Sequence, residues 1–273
     1  MQRLLVLCTA VLMAAIASPT ALADAKTDQK LNESKLVFEA FSNLSENSIP
    51  TWLLERAYGI VIVPHVIKGA MILGGRGGKG VMSVRNPDGS WSNPVFVTLF
   101  GVNFGFQIGV QSTDVVLVLM SKKSVEGIGG GMTTLGGDMS VAAGPLGRAA
   151  AATTDSTFQA QVLSYARNEG LFAGIALDGT DIRIDQGSNE LAYGVSGILP
   201  SQILQGTIAT PPAAAVEFVN ALTAATKPAT APAATAPTAT APASAEPKAP
   251  AATEPAAKTF PMEDQNPGAP PPK

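Results

Sequence analysis

The sequence is poor in the side chains that most enzymes rely on: it has one cysteine and one histidine in 273 residues. From histidine alone, neither a catalytic triad nor a multi-histidine metal site can be built. Charge is sparse at 14%, and the net value of −3 gives no argument for nucleic-acid binding. No run of about 20 apolar residues lies outside the first 23, which excludes a polytopic membrane protein. The apolar content of 46% excludes a wholly disordered chain and a coiled coil.

The first 23 residues read as a secretory signal peptide. Arg3 supplies the positive end, Leu4 to Ala17 the apolar stretch, and Ala21-Leu22-Ala23 a small-x-small cleavage site before Asp24. A lipoprotein signal at Cys8 is the competing reading. Leu7 is too large for the residue before a lipidated cysteine, and only seven residues precede Cys8. Cleavage leaves 17 basic residues against 21 acidic ones and no cysteine, so an exported core must be stable without a disulfide. The expected location is the periplasm or the extracellular medium.

Residues 226–273 form an Ala/Thr/Pro tail. Twelve of the 21 prolines lie from Pro228 onward, and there is almost nothing to bury. A disordered, partly polyproline-II spacer is expected, with a reach on the order of 140 Å if fully extended. The folded part is then 24–225. Of its glycines, 19 fall between Gly59 and Gly147, which suggests turns, bulges and close strand contacts.

Apolar residues at helical spacing predict a helix over 27–46, capped by Thr27. A second short helix is expected from Ser48, with Pro50 in its first turn. The pattern then changes to a strand at Ile60–Val63, stopped by Pro64. Further strand-like runs lie near 68–74, 78–85, 94–100, 103–111, 114–121, 137–143, 157–167, 171–177 and 181–184. Asn86-Pro87-Asp88-Gly89 is a turn, and Asp178-Gly179 marks a hairpin between the last two runs. A helical turn is expected at 187–194, and Pro211-Pro212 opens a last helix to about Ala224. The fold class is α+β: a Gly-rich antiparallel β-sheet or sandwich with N- and C-terminal helices packed on it.

Gly75-x-Gly77-x-x-Gly80 matches the dinucleotide fingerprint in spacing only. The fingerprint needs a helix after the glycines to receive the pyrophosphate, whereas Val81–Arg85 reads as a strand. These glycines are expected to serve backbone geometry. Asp178, Asp181 and Asp185 lack EF-hand spacing, and no metal or cofactor is implied.

The charge distribution is more informative. Residues 56–123 hold seven basic residues against two acidic ones, and 126–190 hold three against eight. A basic face with glycine-rich loops suits anionic headgroups. The candidate contacts are Lys68, Arg76, Lys79 and Arg85, which flank the glycine turns, with Lys122 and Lys123 next. The competing readings are an apolar pocket for acyl chains and a structural or protein-binding envelope module tethered by the tail.

A set of short motifs bears on that choice. Ala57–Gly59, Ile60–Pro64, the glycine run 74–80, Trp91-Ser92-x-Pro94 and Gln107-Ile108-Gly109 appear in that order. Tyr165-Ala166-Arg167, Gly170–Gly174, Asp178-Gly179, Asn189, Tyr193-Gly194 and Ile203-Leu204 follow. In order and spacing over about 30–225 they resemble the SYLF domain, found in yeast actin-patch proteins and in membrane-trafficking proteins, with bacterial relatives. The resemblance implies phospholipid binding without catalysis, and actin binding in fungal members. Export would keep this chain away from actin. Eukaryotic relatives use a basic amphipathic N-terminal helix on membranes, yet residues 24–55 here carry three lysines against six acidic residues.

Overall fold

A computed structural model describes residues 19–43, 48–70, 73–104, 109–147, 159–168, 171–175, 177–208 and 210–226. Residues 1–18, on which the expected apolar export stretch falls, the Pro-rich tail and the alternation at 105–108 lie outside these residues. The chain runs α1 (Pro19–Asn43), α2 (Thr51–Arg56), β1 (Gly59–Ala70), β2 (Leu73–Val84), β3 (Val95–Phe104) and β4 (Gly109–Leu119). It continues with α3 (Lys122–Gly129), β5 (Met132–Leu135), β6 (Val141–Ala143), β7 (Val162–Asn168), β8 (Leu171–Gly174) and β9 (Thr180–Ile184). The helices α4 (Gln186–Tyr193), α5 (Pro200–Leu204) and α6 (Ala213–Thr226) complete it.

The strands form one nearly barrel-shaped sheet in the order β5-β9-β3-β2-β1-β4-β7-β6, with β8 also paired to β7. The class is α+β with helices packed on the sheet, as the periodicity predicts. All pairings are antiparallel except β6 with β7. Side-chain alternation sends the strand residues to two apolar cores. On the outer face Ile60, Ile62, Val81, Phe96, Val116, Val118 and Tyr165 meet α1, α2 and α6. On the concave face Val61, Val63, Met82, Leu99, Leu117, Leu135, Val162 and Ile182 meet one another, so residues from both ends of the strand order share one core.

Several motif residues anchor helices to strands. Phe96 donates its backbone N–H to the Asn189 side chain (2.8 Å), Tyr193 donates to the Pro94 carbonyl (2.6 Å), and Gly194 ends α4 with φ +64°. The buried Trp91 indole donates to the Thr226 hydroxyl (3.0 Å), which holds the last helix two residues beyond the expected end at Ala224.

Three local expectations are corrected, and two elements appear where none was expected. Thr27 lies inside α1 and is buried, because helical backbone continues upstream of it. Asp178-Gly179 is a turn but not a hairpin: β8 pairs β7, and β9 pairs β3 and β5. A helix, α3, and a strand, β5, occupy residues with no clear period; Ser121 caps α3 by accepting from the Ser124 N–H.

The third correction concerns β1. Pro64 does not stop β1. Pro64 and His65 together stand opposite Asp114 alone, between the Val63↔Val115 and Val66↔Thr113 pairs, which is a β-bulge in a central strand. His65 has φ 53°, the only non-glycine with positive φ among the described residues. Its N–H donates to the Asp114 carboxylate at 3.0 Å, and Arg167 donates to the same carboxylate through Nε (3.1 Å) and Nη2. The bulge drives β1 against β2. A Cβ on Gly80 would lie 2.0 Å from the Ile62 carbonyl oxygen, and one on Gly78 would lie 2.8 Å from Val63 Cγ1. Gly75 and Gly77 have nothing closer than 3.7 Å. None of these four glycines has positive φ, so it is close approach, and only at Gly78 and Gly80, that demands glycine.

Gly80→Ala should therefore lower stability by about 3 kcal/mol or more, since backbone must move. Gly77→Ala should be neutral or stabilising by up to about 1 kcal/mol. Thermal melts of the two variants check this, and equal losses would contradict the geometry.

Candidate functional site

The six cations singled out in the sequence do not form one patch. Lys68 and Arg76 stand directly opposite each other on β1 and β2, on the concave face near the end of the sheet. Glycines lie beside them: Gly69 pairs with Gly75, and Gly101 faces Arg76 from β3. A Cβ on Gly101 would touch Arg76 Cγ and Thr180 Oγ1 at 3.1 Å each, so its absence makes room for the arginine stem. Burial pulls the Arg76 guanidinium below its usual pKa, and the Asp178 carboxylate pushes the other way. No ion pair engages Lys68 among the described residues.

Lys79 lies on the outer face, 2.7 Å from Asp185. Asp185 also caps α4 through the Ser188 N–H (3.2 Å) and accepts the Ser188 hydroxyl (2.8 Å). Burial opposes its ionisation, but the hydrogen bonds from Lys79 and Ser188 outweigh it, and the carboxyl titrates below the usual range.

Arg85, Lys122 and Lys123 lie at the other end of β1, about 25–30 Å of strand away. Arg85 is a strut. It donates to the Ala57 (3.1 Å), Leu54 (2.9 Å) and Gly89 (3.0 Å) carbonyls and stacks 4.4 Å over the Trp91 ring. Burial holds its pKa below the usual value. Beside it is an open cleft of about 810 Å³ lined by Arg56, Tyr58, Arg85, Lys122, Glu55 and Glu126, among others. Carboxylates there offset the cations, and Lys122 reaches Glu126 at 3.9 Å. Lys123 lies in a second hollow with Glu126 and Asp138.

The glycine run fits no nucleotide. β2 passes straight through Gly75, Gly77 and Gly80 as strand, and no helix follows. Asp181 accepts from the Thr134 hydroxyl (2.7 Å), and no group of three or more His, Cys, Asp or Glu among the described residues could hold a metal ion. No described helix is long and apolar enough to cross a membrane.

The sequence reading of charge missed exposed apolar residues beside Lys68 and Arg76. Ile67, Phe100 and Val102 are 55%, 52% and 54% exposed. The strand alternation Phe100-x-Val102 was their only signal.

The Lys79–Asp185 bridge predicts a pH effect. The depressed carboxyl contributes stability fully above its unfolded pKa of about 4 and loses it as pH falls through the lower folded value. Asp185→Asn keeps a capping side chain and removes the charge. The variant should be less stable than the parent by about 1 kcal/mol at neutral pH, with the gap closing in strong acid. Melts across that range check it.

The family described as "Ysc84: Las17-binding protein actin regulator" matches residues 100–225. Protein YSC84 of Saccharomyces cerevisiae is 38% identical over 173 residues, covering 62% of this chain and 36% of that protein. LAS seventeen-binding protein 3 of the same species is 37% identical over 172 residues, covering 62% and 37%. SH3 domain-containing YSC84-like protein 1 of Bos taurus is 36% identical over 186 residues, covering 68% and 54%. The chain thus spans from about a third to about half the length of these relatives. With the α+β fold and the ordered motifs around it, the segment 100–225 matches the SYLF (Ysc84) domain family.

Proposed function

We propose that this protein is a non-catalytic phospholipid-binding module of a bacterial cell envelope, touching anionic headgroups at the glycine-rich end of its sheet. One observation carries the reading: Lys68 and Arg76 face each other across β1 and β2. Like charges directly opposite in a sheet repel, and an anion placed between them removes that cost. The neighbouring glycines let a phosphate approach the backbone. The relatives support a binding role over catalysis, because their names speak of binding and of actin regulation. Those partners are proteins of other cells, and export would separate this chain from them.

The contact residues divide accordingly. Lys68 and Arg76 bind; Lys79 assists once Asp185 is outcompeted; Arg85 holds the fold. Lys122 and Lys123 lie too far along the sheet to join the same planar contact. Vesicle co-sedimentation tests this. The purified chain should prefer phosphatidylglycerol to phosphatidylcholine, and the preference should weaken with salt as screening shortens to about 8–10 Å. Lys68→Gln with Arg76→Gln should remove the preference, at about 1 kcal/mol per charge. Arg85→Gln should lower the melting temperature and leave the preference intact. Equal binding to both lipids at all salt concentrations would reject the headgroup contact.

Export is part of the proposal. The apolar stretch 4–17 and Ala21-Leu22-Ala23 predict a mature chain beginning at Asp24. N-terminal sequencing of protein from expressing cells checks it; retention of Met1 or acylation at Cys8 would reject it.

A further inference from the structure

The outer face of the sheet is covered by helices over only part of its length. Four cross-strand rows follow one another toward the end that carries Lys68 and Arg76. The first, Val116–Ile62–Val81–Phe96, is buried under the helical layer. The second runs Arg167–Asp114, across the bulge to Lys79, then Thr98 and Arg183. In the third, Ile67 and Phe100 flank Gly77, Ser112 lies beyond Ile67, and Asp181 on β9 stands opposite Phe100, its carboxylate accepting from the Thr134 hydroxyl. In the fourth, Val102 faces Gly75. Glycine between the large residues leaves Ile67 and Phe100 about 10 Å apart with no side chain between them. The three apolar side chains thus form one stripe in solvent.

We infer that this stripe inserts into the interfacial layer of a lipid bilayer, with the second row lying at the level of the headgroup phosphates. The inference rests on the phospholipid reading and adds the mode of contact. Rows on one face of a strand are about 7 Å apart, and amphipathic surfaces bury about 5–10 Å into the headgroup and acyl boundary. Insertion of the Ile67, Phe100 and Val102 side chains therefore brings the Lys79 and Arg183 row to the phosphates and leaves Asp181, at the β9 end of the third row, on the headgroup side of the contact. Lys68 and Arg76 lie between the last two rows in register, on the opposite face, where long stems let the cationic heads reach up to the same level. The charge pattern favours a membrane over a protein of one sign. Two of the row's cations are already matched, Arg167 by Asp114 and Lys79 by Asp185, while Arg183 is exposed. Apolar contact then carries most of the binding and the cations tune lipid choice.

The test uses the full purified chain and vesicles of phosphatidylcholine and of phosphatidylglycerol, at low and high salt. The double variant Ile67→Asn with Phe100→Asn should lose partitioning by about tenfold or more to both lipids at both salt concentrations. Lys68→Gln with Arg76→Gln should change only phosphatidylglycerol binding at low salt. Because both apolar positions are solvent-exposed, the melting temperature of the double variant should stay near that of the parent. Phe100→Trp provides a readout independent of affinity: its emission should shift to the blue on vesicles and be quenched by lipids brominated on their acyl chains. Undiminished binding by the double variant, or a Phe100→Trp protein that sediments with vesicles without a blue shift or quenching, overturns the inference while leaving the headgroup contact standing. A double variant that loses only self-association in analytical ultracentrifugation, with vesicle binding unchanged, overturns it in favour of a second copy of the chain. A parent protein that binds neither lipid overturns the phospholipid reading and this inference together.

Discussion

The approach of the bulged β1 to the glycines of β2 is the constraint on which the rest of the sheet depends. Pro64 has no N–H to give and sits in a central strand, where only a bulge can accommodate it. The bulge places His65 at φ 53°, a conformation unfavourable to a residue with a Cβ, and the Asp114 carboxylate stabilises it by accepting the His65 N–H. It also brings Val63 and Val66 over Gly78 and Ile62 over Gly80. Asp114 is itself buried, and Arg167 on the neighbouring strand neutralises it. One irregularity in one strand therefore specifies glycines on the strand to one side and an ion pair on the strands to the other.

The same irregularity divides the sheet into two regions. Before the bulge, strand residues pack into two cores, one on each face. Beyond it, Ile67, Phe100 and Val102 are exposed, and Lys68 faces Arg76. A sheet end with glycines, apolar residues and cations on its two faces, next to a stable core, is physically suited to surface contact. Its residues can be changed by binding without unfolding the domain, since the buried part carries the stability.

Local charge totals overstate what is available for binding. Of the six cations singled out, Arg85 satisfies three carbonyls and stacks on Trp91, Lys79 pairs with Asp185, and Lys122 leans toward Glu126. An arginine committed to carbonyls and an aromatic ring is a structural element whatever its formal charge. The same holds for several family motifs. Asn189, Tyr193 and Trp91-Ser92 are spent on hydrogen bonds that dock helices and turns onto strands.

The sequence by itself determined the α+β class, most of the strands, the helices at 51–56 and 213–226, and the SYLF resemblance, because periodicity, turn residues and ordered motifs are local signals. Only the tertiary structure decided which glycines are obligatory, since that depends on how near Ile62 and Val63 come from another strand. Only it decided that β9 pairs with β3 and β5 and not with β8, because strand partners are chosen by burial across the whole sheet. And only it separated Lys68 and Arg76 from Arg85, Lys122 and Lys123. Residues close in sequence along a long antiparallel strand can emerge at opposite ends of a sheet, and a count of charges per segment carries no information about which end.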